Sequence, residues 1–489
     1  MIKKITMLGS LLLAGTVTVF ARQFDQFKDA SPKELVKRTD LSAEQLEGIQ
    51  NYYQFKLKDT KKSEELSRLI IEKYPQGKHA RFTAFQGTMK SKDNQETITN
   101  SEKFLAAFPY EQWASNPNGQ TFIYYTVHRG LGTAYFETRQ FDKLLAMLKP
   151  LTFKTEAEVF RWNVMRAYVF KLLGYDTLYN VATPIIKELL DKQKDGSYEE
   201  PGVFNKEQAQ ANADEQMDND LGTYTSLLSD LKKFDEVKQY YNYLSAKGIY
   251  ADAERNEVYL NALVQTKDDK AVQPFLENCM KANAMTPVMM EELKKQYVKK
   301  QGNADGYEQY LSGLRSKEEQ AELMTYVKEH MTSKDYMPFA VENADGKTIR
   351  SSDWEDRIVV IDFWATWCKP CIRAFPGMQM LTDKYSSDDR VRVYLMGTMQ
   401  TGDYKAKSTN YLKQEGYRMH LLHDNKNRTN GEQDAVFKTF VPFFGSSAIP
   451  RKVILKDGVM RYTSEGYSGS PSKLAEELSM VIEILKNEK

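Results

Sequence analysis

One stretch, Ile358 to Pro376, constrains this chain more than any other. It reads I-V-V-I-D-F-W-A-T-W-C-K-P-C-I-R-A-F-P, an apolar run that delivers Cys368 and Cys371 three positions apart. The pattern predicts a buried strand leading into a helix whose first turn carries both cysteines. One thiol then lies against the positive end of the helix dipole, which favours its thiolate. Such an arrangement suits disulfide exchange. Half of a zinc site and a static disulfide remain open as blander readings. Structural zinc needs four ligands. The third cysteine, Cys279, is far upstream, and His420 and His423 fall in a strand-like M-H-L-L-H-D. A spacing of three on a strand points those histidines to opposite faces. Redox chemistry is the leading reading, with no metal and no other cofactor expected.

The segment Phe363-Trp-Ala-Thr-Trp-Cys-Lys-Pro-Cys, with Asp345-Gly-Lys and Ser352-Asp-Trp upstream of it, resembles the thioredoxin-fold thiol-disulfide oxidoreductases of the bacterial envelope, of TlpA and ResA type. The resemblance covers Met337 to about Lys489 and implies an α/β thioredoxin-like domain. Three further positions match the family one at a time. Asp362 matches its buried acid, and Pro376 the proline that kinks the active-site helix. Pro450, in A-I-P-R-K-V-I-L, matches the cis-proline facing the dithiol. A free backbone edge beside such a proline can pair with an extended peptide, so Trp367, Ile449 and Pro450 are the expected substrate contacts. A peroxiredoxin reading is disfavoured, because the segment lacks that family's Thr-x-x-Cys.

Roles follow from the resemblance and from the chemistry of each group. Cys368 attacks a substrate disulfide and Cys371, one turn inward, resolves the mixed disulfide. Asp362 is the sole charged residue in I-V-V-I-D-F. Burial there raises the pKa of a carboxyl and lets it accept the Cys371 proton, unless it is a hydrogen-bonded structural aspartate. Lys369 and Arg451 would stabilise a thiolate and push the couple toward oxidising, whereas Pro370 matches the Cys-x-Pro-Cys of reducing members. Ala374 replaces the family's acidic residue three positions after the second cysteine. The expectation is a reductase of protein disulfides supplied by an upstream thiol donor. An oxidase or isomerase using the same cysteines, or a binding scaffold, are the alternatives.

The chain starts with Met1-Ile-Lys-Lys, an apolar segment from Ile5 to Phe20 and a small-residue site ending at Ala21. This predicts a signal peptide over residues 1–21, export to the periplasm and no membrane span in the mature chain. With 68 basic and 67 acidic residues, nothing points to nucleic acid.

Residues 22–334 are patterned as helices, with Leu66, Ile70 and Tyr74 four apart on one face. Phe108-Pro109 follows Tyr74-Pro75 by 34 residues, the tetratricopeptide period; Leu131-Gly-Thr-Ala-Tyr135, Phe141-Asp-Lys-Leu-Leu, Phe234-Asp-Glu-Val and Asp268-Asp-Lys-Ala extend the pattern. The expected fold is therefore an all-α helical-hairpin region resembling tetratricopeptide repeats, followed by the thioredoxin-like domain over 335–489. Stacked hairpins offer a surface for a protein partner. Tyr240 and Tyr243, Met285, Met289 and Met290, and Cys279 are read as packing residues. A linker is expected near Met331–Pro338, where helical periodicity stops and a strand pattern begins.

Overall fold

The computed structural model describes residues 24–113, 121–199 and 203–488; the expected signal segment lies outside them. Two compact units are present, one formed by residues up to Leu173 with Asn180–Tyr198, the other by Gly174–Tyr179 with Glu199 onward. The first unit is helical. Helices Thr60–Lys73 and Asn94–Ala107 are both 14 residues long, and their first residues are 34 positions apart. Each begins at an aspartate that accepts a backbone N–H of its first turn, Asp59 from Lys62 and Asp93 from Glu96. Leu66, Ile70 and Tyr74 pack into one cluster, as their spacing predicts.

The turns between helices also repeat. Arg139, Lys232 and Lys267 adopt left-handed backbone, with φ of 60°, 58° and 57°. In each case the next N–H bonds a carbonyl five positions back: Gln140 to Tyr135, Lys233 to Leu228 and Asp268 to Leu263. These are Schellman-type helix ends in which a basic residue stands where glycine is usual.

The second unit opens with helices running from Lys206–Asp230 to Lys317–His330 and continues into an eight-stranded sheet. Tyr240 stacks edge-on against Tyr224 of the preceding helix, which makes it a packing residue. Cys279, Met285 and Met289 are wholly buried in a common cluster.

The strands are β1 (Met331–Asp335), β2 (Ala340–Asn343), β3 (Thr348–Arg350), β4 (Ile358–Trp364), β5 (Val391–Gly397), β6 (His420–His423), β7 (Arg451–Lys456) and β8 (Val459–Glu465). Their order is β1-β8-β7-β4-β5-β6-β2-β3. β4, β5 and β6 are parallel; the remaining pairs are antiparallel.

All seven residues of β4 are buried because both its faces are covered. Ile358, Val360 and Trp364 meet Phe375, Met378 and Leu381 of helix Lys369–Lys384 and Leu478, Val481 and Ile482 of the closing helix Pro471–Asn487. On the reverse face Val359, Ile361 and Phe363 pack against Val436, Phe437 and Phe440 of helix Ala435–Phe444. This is a thioredoxin-type α/β sandwich.

The segment read as a linker is different. Helix Lys317–His330 ends and β1 starts at the next residue, paired antiparallel with β8 through Met331↔Tyr462 and Lys334↔Met460. Its sequence, M-T-S-K-D, has no apolar alternation because it is an edge strand with half-buried or exposed side chains. Backbone pairing creates it, and composition does not reveal that.

Candidate active site

β4 runs through the sheet centre and releases the chain at Trp364, so the loop Ala365–Trp367 places Cys368 at the N-cap of helix Lys369–Lys384. Pro370 sits in the first turn, where a missing N–H leaves no helical bond unmade. The Cys371 N–H donates to Cys368 Sγ over 3.3 Å, and the two cysteines are joined as a disulfide. Cys371 is wholly buried, while Cys368 retains 4 % exposure. An incoming sulfur therefore meets Cys368 first.

Opposite the dithiol, the Ile449–Pro450 bond is cis. Cys368 Sγ lies 3.7 Å from the Ile449 carbonyl oxygen, so Ile449, of the three expected peptide contacts, stands beside the reactive sulfur. Trp367 is 60 % exposed, with its indole N–H donated to the Met399 carbonyl at 2.9 Å. The neighbouring Thr366 hydroxyl donates to Gln400, and Gln400 in turn donates to the Ser408 hydroxyl. A buried polar network thus holds the loop that presents the exposed indole. Lys369 and Pro370 are exposed at the helix start.

Asp362 shares a face of β4 with Val360 and Trp364, the face covered by the dithiol helix. It is wholly buried and neither carboxylate oxygen accepts a hydrogen bond. Burial pushes its pKa up to about 6, and the nearby Lys452 opposes that rise. The alternative of a hydrogen-bonded structural aspartate finds no such bond. Lys452, its register partner on β7, is also wholly buried, with Nζ 3.8 Å from the carboxylate. The same ammonium donates to the Gly466 carbonyl at 2.7 Å, and the Gly466 N–H donates to the Pro450 carbonyl at 2.9 Å. Burial lowers the Lys452 pKa, and Asp362 counteracts it.

Arg451 does not take the thiolate-stabilising position expected for it. Adjacent strand residues point to opposite faces, and with Lys452 turned to Asp362, Arg451 turns to the reverse side. There it pairs with Glu465, donates to Ser446 and lies 4.5 Å over the Phe444 ring. Its charge is engaged away from the sulfurs.

Two features escaped the sequence reading. Lys452 is one; its signal was a charge at the head of an apolar strand, the counterpart of Asp362 in β4. The other is Arg373, two residues after Cys371, whose guanidinium binds Glu254 at 2.8 Å and Asp252 at 2.9 Å at the start of helix Ala253–Gln265. Nearby, the Ala253 N–H donates to the Gly469 carbonyl and the Ser472 N–H to the Met285 carbonyl. The helices before the sheet are thereby tied to the dithiol helix and the closing helix.

Cys279 stands apart, its thiol pKa pushed well above the ordinary range by burial. His420 is exposed and His423 buried, as opposite faces of β6 require. No metal-holding group of three or more His, Cys, Asp or Glu side chains occurs among the described residues. Among them, no helix is long and apolar enough to cross a membrane.

Comparison with known proteins finds similarity in the same C-terminal region. The AhpC/TSA family profile matches residues 333–463. The thiol-disulfide oxidoreductase ResA of Bacillus cereus is 37 % identical over 73 residues, which are 15 % of this chain and 37 % of that protein. ResA of Bacillus subtilis is 30 % identical over 86 residues, 18 % of this chain and 46 % of the relative. The chain thus spans less than half the length of these curated relatives. Among solved structures, a thiol:disulfide interchange protein of the thioredoxin family from Chlorobium tepidum is 18 % identical, with a TM-score of 0.26, covering 31 % of this chain and 97 % of the other. By these sequence matches, the C-terminal region is similar to ResA-type thiol-disulfide oxidoreductases.

Proposed function

We propose that this chain is an exported thiol-disulfide oxidoreductase that reduces disulfides of envelope proteins with the Cys368–Cys371 dithiol. The observation carrying this reading is the placement of a slightly exposed Cys368 at a helix N-cap, above a wholly buried Cys371, with the Ile449 carbonyl 3.7 Å from its sulfur. In the forward step the Cys368 thiolate attacks one sulfur of a substrate disulfide. The first substrate sulfur leaves as a thiolate and a mixed disulfide remains. Cys371 then attacks Cys368, releasing the second substrate thiolate and closing the disulfide seen here.

An extended peptide adding to the backbone edge at Ile449 and Pro450, with Trp367 as an exposed apolar contact, supplies the substrate geometry. Lys369 and Pro370 flank the reactive sulfur and tune its thiolate. An upstream thiol donor returns the dithiol to its reduced form. Residues 1–21 act as the export signal, and the mature protein works in the periplasm. The hairpins of 22–334, with helices spaced at the tetratricopeptide period, recruit a protein partner for the catalytic region at 335–489.

Trapping tests the mechanism. A Cys371→Ala chain is expected to accumulate mixed disulfides with client proteins through Cys368, and none should survive the further change Cys368→Ser. Failure to trap any client sinks the substrate class. Equilibration with glutathione tests direction: a potential near the roughly −270 mV of thioredoxin supports the reductase, and one near the roughly −120 mV of DsbA overturns it.

A further inference from the structure

Gln433 is a wholly buried glutamine in a loop of polar residues, and both ends of its side-chain amide are bonded. We propose that Gln433 is a positioning residue for client binding, the template for a Thr398–Gln400 turn that holds the Trp367 indole ready beside Cys368. This inference rests on the redox reading above, in which Trp367 is a client contact, and adds to it a residue that acts through Trp367.

The contacts run upward from the loop after β6. That loop doubles back: Lys426 pairs antiparallel with Gln433, and the Asn427 N–H donates to the Glu432 carbonyl at 2.7 Å. Gly431, at φ 74°, supplies the left-handed residue of the turn. Gln433 thereby lies along the exit of β5. Its side chain donates to the Gly397 carbonyl at 2.8 Å and accepts the Gln400 N–H at 3.2 Å. Its backbone carbonyl accepts the Met399 N–H at 2.6 Å. The Thr398 hydroxyl is shared between that carbonyl at 3.1 Å and the Asp424 carboxylate at 2.9 Å. Met399 is held at φ 53°, a left-handed conformation that a residue with a side chain keeps only where its surroundings impose it. The bonds to Gln433 impose it here.

The turn then carries the loop before Cys368. The Met399 carbonyl accepts the Trp367 indole N–H at 2.9 Å, and Gln400 Oε1 accepts the Thr366 hydroxyl at 2.8 Å. Gly397 leaves room for this, since a Cβ there would stand 3.0 Å from Gln400 Nε2. An indole as exposed as that of Trp367 has little packing to restrain it, so the bond to a fixed carbonyl is its restraint. A contact ordered before the client arrives does not have to be ordered by the client. Asp424 also accepts the N–H groups of Val436 and Phe437 at the start of helix Ala435–Phe444. The far end of that helix runs through Gly445–Ala448 into Ile449 and Pro450. One buried hub therefore stands behind both Trp367 and the segment with the cis-proline.

The test compares two disulfides, each reduced by the full chain with dithiothreitol as the recycling thiol. Insulin carries its disulfides in a protein; 5,5′-dithiobis(2-nitrobenzoate) has no peptide flanks. Gln433→Met keeps the side chain's length and removes both amide contacts. It should raise the KM for insulin by roughly threefold to tenfold, the effect of one large side chain that must now be ordered on binding. The kcat for insulin and the rate with the small disulfide should stay close to native. In a Trp367→Ala background Gln433→Met should add nothing. An unchanged KM overturns the proposal, as does a rise that persists without Trp367, a parallel loss with the small disulfide, or a Trp367→Ala chain that reduces insulin as the native chain does. If the native chain reduces neither disulfide, the redox reading fails instead. The native chain also gives a readout that needs no Gln433 variant to fold, solvent exchange of the Trp367 indole N–H by NMR, assigned through Trp367→Phe. Exchange slower than that of free indole by roughly tenfold or more supports the proposal, and exchange at the free rate overturns it.

Discussion

Gly377 lies on the dithiol helix where that helix crosses the start of the closing helix. A Cβ added there would stand 2.8 Å from the Pro471 carbonyl oxygen, 3.1 Å from Pro471 Cα and 3.1 Å from Leu474 Cδ2. Leu474 can turn aside, but Pro471 is the first residue of its helix and its carbonyl cannot. Gly377→Ala therefore sets two effects against each other. Alanine gains about 1 kcal/mol of helix propensity over glycine. Forcing apart two packed backbones costs about 1–3 kcal/mol. A net destabilisation of up to about 2 kcal/mol follows, which in a unit of this size lowers the melting temperature by up to roughly 4 °C. Gly313 provides the comparison, since it lies in helix Tyr307–Leu314 of the same unit and an added Cβ there meets open space. Gly313→Ala should gain up to about 1 kcal/mol. Urea and thermal denaturation followed by circular dichroism measure both. If Gly377→Ala proves as stable as Gly313→Ala, the close helix crossing under the dithiol is refuted.

Other perturbations separate the remaining forces. Asp362 has a folded pKa of about 6 against roughly 3.9 in an unfolded chain. The folded state thus binds its proton more tightly, so stability is greatest below the unfolded value, falls as pH rises between the two and levels off above about 6. The loss has an upper bound of about 3 kcal/mol; in Asp362→Asn this decline should vanish from urea midpoints taken between pH 4 and 7. Arg373→Ala removes the pairing with Asp252 and Glu254, but the side chain is 43 % exposed, so solvent screening limits the loss to about 1 kcal/mol. Repeating the denaturation in 1 M salt should erase most of that difference, and a loss that survives salt would indicate packing instead of charge. Lys267→Gly relieves left-handed strain of about 1–2 kcal/mol while adding glycine's unfolded-state entropy of about 0.5–1 kcal/mol. A small rise in the urea midpoint is expected, and a fall would show that the lysine side chain contributes there.

The dithiol and the lone acid of the apolar run are legible in the sequence as local patterns, and the cis-proline through the family resemblance those residues carry. An apolar run predicts β4, and Cys368 and Cys371 fall at the helix start that follows it. Arg451 shows where locality misleads. Its closeness to Pro450 in sequence suggested closeness to the sulfurs, yet strand alternation sends it to the far face and brings Lys452 to Asp362. That partnership depends on β7 returning antiparallel beside β4, with Asp362 opposite Lys452, and no window of sequence contains both. The pairing of Arg373 with Asp252 and Glu254 spans about 120 positions and is invisible to periodicity for the same reason. β1 was missed because an exposed edge strand needs no apolar alternation.

Because β1 follows the last helix without a break, the natural place to divide the chain is not where its composition changes. A fragment starting after Asp335 would strip β8 of its outer partner and leave the backbone N–H and C=O groups that face β1 unpaired along the sheet margin. Such a margin is a template for a second molecule to pair on. In the intact chain that margin is the five-residue polar β1, whereas the excised half would end on the longer β8 with its apolar Met460 and Tyr462, so the excised half should self-associate at concentrations where the intact chain does not.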